Sequence, residues 1–132
     1  MNNIEWKRYY DVGIVEIDSQ HKQLVDILNK LIQAKNKNSD ENTLRAILQE
    51  LVDHTQAHFV SEELHMRKNN YPLLDDHIQL HKFLINRFIK MIEKINDGNL
   101  EIGNELFERL KYWLLQHVLE EDREYGYYLK EN

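Results

Sequence analysis

Leu73-Leu74-Asp75-Asp76-His77-Ile78-Gln79-Leu80-His81-Lys82-Phe83-Leu84-Ile85-Asn86-Arg87-Phe88 is the stretch on which the fold turns. Apolar residues recur there with helical spacing at Leu80, Leu84 and Phe88, continue to Met91 and Ile95, and stop at Asn96-Asp97-Gly98 as a helix C-terminus does. His77 and His81 fall on the same stripe. Residues four apart in an α-helix lie about 40° apart around the axis and one turn along it, so both imidazoles point where the leucines point. A helix that turns polar rings toward a core must find partners for them there, because a buried polar group left unsatisfied is costly.

The rest of the chain repeats this design. A first periodic segment, residues 18–37, carries Leu24, Val25, Leu28, Leu31 and Ile32, with Asp18 or Ser19 placed to cap its first turn. A second, residues 40–68, carries Leu44, Ile47, Leu48, Leu51, Val52 and Phe59 before Asn69-Asn70-Tyr71-Pro72 stops it. The segment quoted above spans residues 73–96, and a fourth, residues 100–123, carries Leu106, Leu110, Trp113, Leu114 and Val118. Four helices of roughly 20 to 28 residues with short connections pack most simply as an all-α, up-down-up-down antiparallel four-helix bundle. Residues 1–17 hold Trp6, Tyr9, Tyr10, Val12, Ile14, Val15 and Ile17 without helical spacing and read as an extended N-terminal arm. The tail Tyr125-Gly126-Tyr127-Tyr128-Leu129 reads the same way.

The chain's 132 residues suit one domain, here 1–132. With 42% hydrophobic and 30% charged residues it has the balance of a soluble globular protein. A formal charge of −6 argues against a nucleic-acid footprint. The absence of cysteine removes disulfides, thiolate metal sites and cysteine nucleophiles. No run is long and apolar enough to span a bilayer, and Met1-Asn2-Asn3-Ile4-Glu5-Trp6 lacks the basic start and apolar stretch of a leader, so the expected compartment is cytoplasmic, without a membrane partner.

Seven histidines are many for this length. His58 and Glu62 share the spacing of His77 and His81 and continue the second stripe. His21 sits one turn before Leu24 and Val25, and His117 one turn after Trp113 and Leu114. In an antiparallel bundle these residues fall at similar heights near one end. One inward histidine is ordinarily a core residue held by a hydrogen bond. Five of them with a carboxylate, in a single layer, point instead to a metal that satisfies them together, and imidazole mixed with carboxylate suits iron.

The residues His21 after Gly13-Ile14-Val15-Glu16-Ile17-Asp18-Ser19-Gln20, His58-x-x-x-Glu62, His77-x-x-x-His81 and His117-x-x-x-x-Asp122, with Trp6 and Trp113, resemble the bacterial hemerythrins over essentially the whole chain. The resemblance implies two iron ions joined by an oxo or hydroxo group. His77, His81 and His117 would hold one, His21 and His58 the other, and Glu62 and Asp122 would bridge them. It further implies reversible O2 binding rather than enzymatic turnover, for storage, delivery or sensing. Geometry alone disagrees in one place. Residues five apart lie about 140° apart on an ideal helix, so spacing favours Glu121 as the partner of His117, whereas the family pattern favours Asp122; a local π-type widening would reconcile them.

His54 is expected in the core, ahead of a hydrogen-bonding or ligating role, and His65 on the surface. Leu24, Phe59, Trp113, Leu114 and Leu115 are candidates for an apolar O2 pocket or for ordinary core. A ferritin-like di-iron oxidase would show Glu-x-x-His on two helices. Here Glu62-x-x-His65 occurs once, with Asp18-x-x-His21 a weak second, and four expected ligands go unexplained. A histidine phosphotransfer bundle finds only His65-Met66-Arg67-Lys68-Asn69. Oligomeric state stays open between a monomer and an assembly meeting through Ile78, Phe83 and Ile85.

Overall fold

The computed structural model describes residues 1–131 apart from the side chain of Val118, so the place expected for Val118 on the fourth stripe lies outside the described residues. Helix α1 spans Val15–Asn36, α2 Glu41–Lys68, α3 Leu74–Asn96, α4 Asn104–Gln116 and α5 Arg123–Glu131; a π-helical turn, His117–Asp122, joins α4 to α5 without a break. The order is up-down-up-down, with α4, the π turn and α5 together forming the fourth rod of the bundle. No strand occurs among the described residues, and no helix is long and apolar enough to cross a membrane.

The connections are set by local chemistry. The Asp40 side chain accepts the Thr43 N–H at 2.7 Å and caps α2. Asn38 and Asn70 take up left-handed backbone angles (φ 59° and 54°) just past the ends of α1 and α2, the conformation asparagine tolerates better than most residues. Leucines fill the end of the bundle that holds the α1–α2 and α3–α4 connections. Leu28, Leu31, Leu44, Leu48, Leu106 and Phe107 are all buried there, and each such side chain contributes about 1.5–3 kcal/mol relative to an exposed one. The opposite end is left for polar side chains.

Four expectations need correction. The arm is shorter than residues 1–17, because α1 begins at Val15. Asp18 does not cap its first turn. It accepts the N–H groups of Val12 at 2.7 Å and Gly13 at 3.2 Å, tying down the arm where Gly13 (φ 90°) turns it onto the helix. Upstream, Asn29 brackets Ile4, accepting its N–H at 2.7 Å and donating to its carbonyl at 2.8 Å. The fourth helix starts at Asn104 rather than residue 100, since Ile102 is buried as a loop anchor and Gly103 is extended (φ −162°). The tail is helical, not extended: Tyr125 is fully buried and Gly126 lies against the arm.

Candidate metal centre

All seven expected ligands are buried, at 5% exposure or less: His21, His58, Glu62, His77, His81, His117 and Asp122. They arrive from four rods. His21 comes from the second turn of α1, His58 and Glu62 from one face of α2, His77 and His81 from the first turns of α3, and His117 and Asp122 from the two ends of the π turn. The π turn sets the two neighbouring acids apart. Widening the helix there brings residues five apart into line, so Asp122 points inward while Glu121 stays half-buried outside the cluster.

The cluster has two halves that share both acids. Glu62, His77, His81, His117 and Asp122 form one, and His21, His58, Glu62 and Asp122 the other, with one donor atom per residue and all donors of a half within 4.8 Å. Each carboxylate divides its oxygens between them. On one side, His77 Nε2 lies 2.6 Å from Glu62 Oε1 and 3.0 Å from Asp122 Oδ1. His81 Nε2 lies 3.1 Å from the same Glu62 oxygen, and His117 Nε2 3.1 Å from the same Asp122 oxygen. On the other, His21 Nε2 is 2.7 Å from Asp122 Oδ2, and His58 Nε2 is 3.4 Å from Glu62 Oε2. The Nε2 atoms of His21 and His58 face each other at 3.0 Å.

Outer contacts aim two of the rings. His58 Nδ1 bonds Gln20 Oε1 at 2.6 Å, and the Gln20 amide donates to Ser61 Oγ at 2.9 Å. His81 Nδ1 bonds Glu63 Oε2 at 2.7 Å while its ring stacks on Phe59 at 3.8 Å. A hydrogen bond at Nδ1 leaves Nε2 free to ligate, as metal-binding histidines are ordinarily held.

Without a cation this layer is electrostatically frustrated. Burial, reinforced by the nearby Asp122 charge, pushes the Glu62 carboxyl well above its ordinary range. Burial would raise Asp122 too, but His117, His21 and His58 hold it well below. Burial lowers His58 to about 4 against the pull of Asp122, and lowers His81 to about 2 with His117 and His77 adding to it. For His117 burial acts downward, and Asp122 and Glu62 outweigh it. Among the described residues, Glu62 Oε2 and the Nε2 atoms of His81 and His117 are buried without a hydrogen-bond partner. Imidazoles and carboxylates aimed inward, with lone pairs unclaimed, fit a metal such as iron.

The remaining candidates divide. Leu24 is buried and lines a cavity of about 120 Å³ beside His58. Phe59 and Leu114 are buried against the layer's surroundings, whereas Trp113 and Leu115 are half-buried. His54 is exposed at the mouth of the small cavity rather than in the core, because the turn before His58 faces the groove beside Gln20 and Gln23. Ile78 and Ile85 are half-buried, and only Phe83 of the suggested contact residues is exposed, at 56%. His65 is half-buried instead of solvated: its Nδ1 meets the hydroxyl of Tyr125, which also donates to the His65 carbonyl at 3.0 Å. Sequence reasoning missed this pair. The available signal was spacing, for His65 and Tyr125 each follow a carboxylate of the cluster by three residues.

Comparison with known proteins agrees with this geometry. The family described as "Hemerythrin HHE cation binding domain" matches residues 12–129. A bacteriohemerythrin of Pseudomonas aeruginosa is 30% identical over 125 residues, covering 95% of this chain and 80% of the relative. One of Clostridium acetobutylicum is 29% identical over 128 residues, covering 91% and 96%. A crystal structure of wild-type hemerythrin superposes with a TM-score of 0.84 at 25% identity, over 95% of this chain and 96% of that one. A four-helix bundle with a buried histidine and carboxylate layer at one end, matched along nearly its whole length, belongs to the hemerythrin family.

Proposed function

We propose that the chain binds O2 reversibly at two iron ions joined by an oxo or hydroxo group, and that it acts as a carrier rather than an enzyme. The observation that supports this reading best is the division of each carboxylate between two unequal groups of histidines. His77, His81 and His117 would hold one ion, and His21 and His58 the other, with Glu62 and Asp122 linking them. When bound, the iron pair supplies the electrons for reversible O2 binding.

The protein's part is positional. The half with His21 and His58 has one imidazole fewer, so an exogenous ligand finds room there, next to the small cavity walled by Leu24. Gln20 holds His58 in place, and Glu63 and Phe59 hold His81. Leu24, Phe59 and Leu114 keep water from the layer, Trp113 and Leu115 forming a more exposed outer wall. The rival oxidase pattern loses support from the side chains themselves, since Asp18 is engaged by the arm and His65 by Tyr125, so neither carboxylate-x-x-His pair enters the layer intact.

Anaerobic iron titration followed by air and re-evacuation tests the reading. It predicts two irons per chain and a colour that comes and goes with O2; fewer than two, or irreversible bleaching, sinks it. Asp122→Ala is expected to lower iron occupancy while Glu121→Ala leaves it full. The opposite result would transfer the second bridge to Glu121.

A further inference from the structure

The bundle is not closed equally on all sides. Backbones approach closely along α1–α2, α2–α3 and α1–α4, whereas the α3–α4 seam stands open over a cavity of about 360 Å³. That volume lies in the range of small-molecule sites, about 300–1,000 Å³. Its walls are apolar side chains of the two facing helices, among them Leu84, Phe88, Met91, Leu110 and Trp113. Phe88 and Trp113 meet edge to face at 5.7 Å within it. The lining runs from Leu80 to Met91 along α3 and from Arg109 through α4 to His117 and Glu121 of the π turn, which makes the cavity a slot about 16 Å long by the helical rise.

Charge is distributed unevenly along this slot. Arg87 and Arg109 line the end remote from the metal layer, and His117 and Glu121 the near end. Both arginines are exposed, and in a chain of net charge −6 their convergence on one apolar slot is a local reversal of sign. Arg109 gives one amino group to Glu105 at 2.7 Å and keeps its other donors; the Arg87 guanidinium lies over the Phe83 ring at 5.6 Å. Among the described residues, the buried Trp113 indole N–H has no partner. An occupant matching these features has an extended apolar body and one anionic end, and Glu121 directs that end away from the metal layer.

We propose that the α3–α4 slot binds a free medium-chain alkanoate, carboxylate on Arg87 and Arg109, alkyl chain running toward His117. Charge-assisted hydrogen bonds to the arginines give the recognition, and the open seam gives the apolar contact. The site is separate from the small cavity beside His58, and the inference does not depend on which gas or how many metal ions the layer holds.

Calorimetric titration of the purified full chain, metal as isolated, with octanoate and with octan-1-ol tests it. Octanoate is expected to saturate at one per chain and to bind about tenfold more tightly than the alcohol, the ratio for one charge-assisted contact. Arg87→Ala with Arg109→Ala, both at exposed positions, reduces octanoate to the level of the alcohol. Leu84→Trp fills the slot and weakens both. Equal binding of the acid and alcohol by the unaltered chain, an unchanged affinity in the double arginine variant, or no saturation overturns the proposal. So does self-association in sedimentation that octanoate fails to disperse, because the seam would then be covered by a second copy.

Discussion

At the scale of single residues, the direction of an imidazole matters as much as its presence. His58 reaches the layer by its Nε2 because its Nδ1 is held at 2.6 Å by Gln20, whose amide is itself anchored on Ser61. Gln20→Leu removes that orienting contact and leaves a buried Nδ1 unsatisfied. Loss of such an outer partner typically costs about 10- to 100-fold in metal affinity. On the two-ion reading proposed above, the loss should be confined to one half of the centre, since Gln20 bonds His58 and not His77, His81 or His117, and competition with a graded chelator should then read it as one metal ion released early and one late. Uniform release of both, or none, would show that the ring is aimed by packing alone. Helical phase made His21, His58, Glu62, His77, His81 and His117 legible in the sequence. It could not give Gln20 its role, which depends on how α1 faces α2, nor the exposure of His54, which depends on a groove between those helices.

At the scale of elements, the last rod carries the departures from simple periodicity. The π turn makes a five-residue spacing behave as a four-residue one, which is why Asp122 rather than Glu121 points inward. That feature was visible only through the family pattern, because no propensity marks a π turn in a single sequence. The tail departs too: expected to be extended, Tyr125-Gly126-Tyr127-Tyr128-Leu129 is helical, and Gly126 lies within that helix where the arm passes over it. A Cβ at Gly126 would run into the backbone carbonyl of Val12, whose N–H is already fixed on Asp18. Gly126→Ala is therefore expected to destabilise the protein by about 1–3 kcal/mol, as overpacking against rigid backbone does, although alanine is the better helix former. Equilibrium urea unfolding checks this. A midpoint equal to or above that of the parent chain would mean that the arm moves aside freely.

Across the whole molecule, the four-rod architecture and the end of the bundle that holds the polar layer were readable from stripe and spacing, because amphipathic periodicity fixes which faces meet. The balance of ionisation in that layer was not, since it depends on burial and on distances between rods. It has a consequence for the metal-free chain between pH 4.5 and 6.5. His58 and His81 have folded pKa values lowered from 6.5 to about 4 and about 2, so in this window they are neutral when folded and protonated when unfolded. Each contributes stability that is present above pH 6.5 and is lost as pH falls toward its folded value. Glu62, raised well above 4.5, works the other way: the folded state keeps a proton that the unfolded state has released. Asp122, held below 3.8, is ionised in both states throughout the window, and His117, raised from 6.5, is largely protonated in both. Glu63, raised by burial beside His81, acts in the same sense as Glu62 but with a smaller shift, so the two protons gained by His58 and His81 on unfolding exceed those the two carboxyls lose, and stability falls as pH drops. The apo-protein should accordingly unfold at a lower urea concentration at pH 5 than at pH 6.5. If the five imidazoles ligate metal as proposed, they must stay neutral and protons compete for them directly, so acidification should release metal in step with the loss of structure. A urea midpoint for the apo-chain that is flat or rises between pH 6.5 and 5 would show that Glu62, rather than the histidines, governs the electrostatics of the layer.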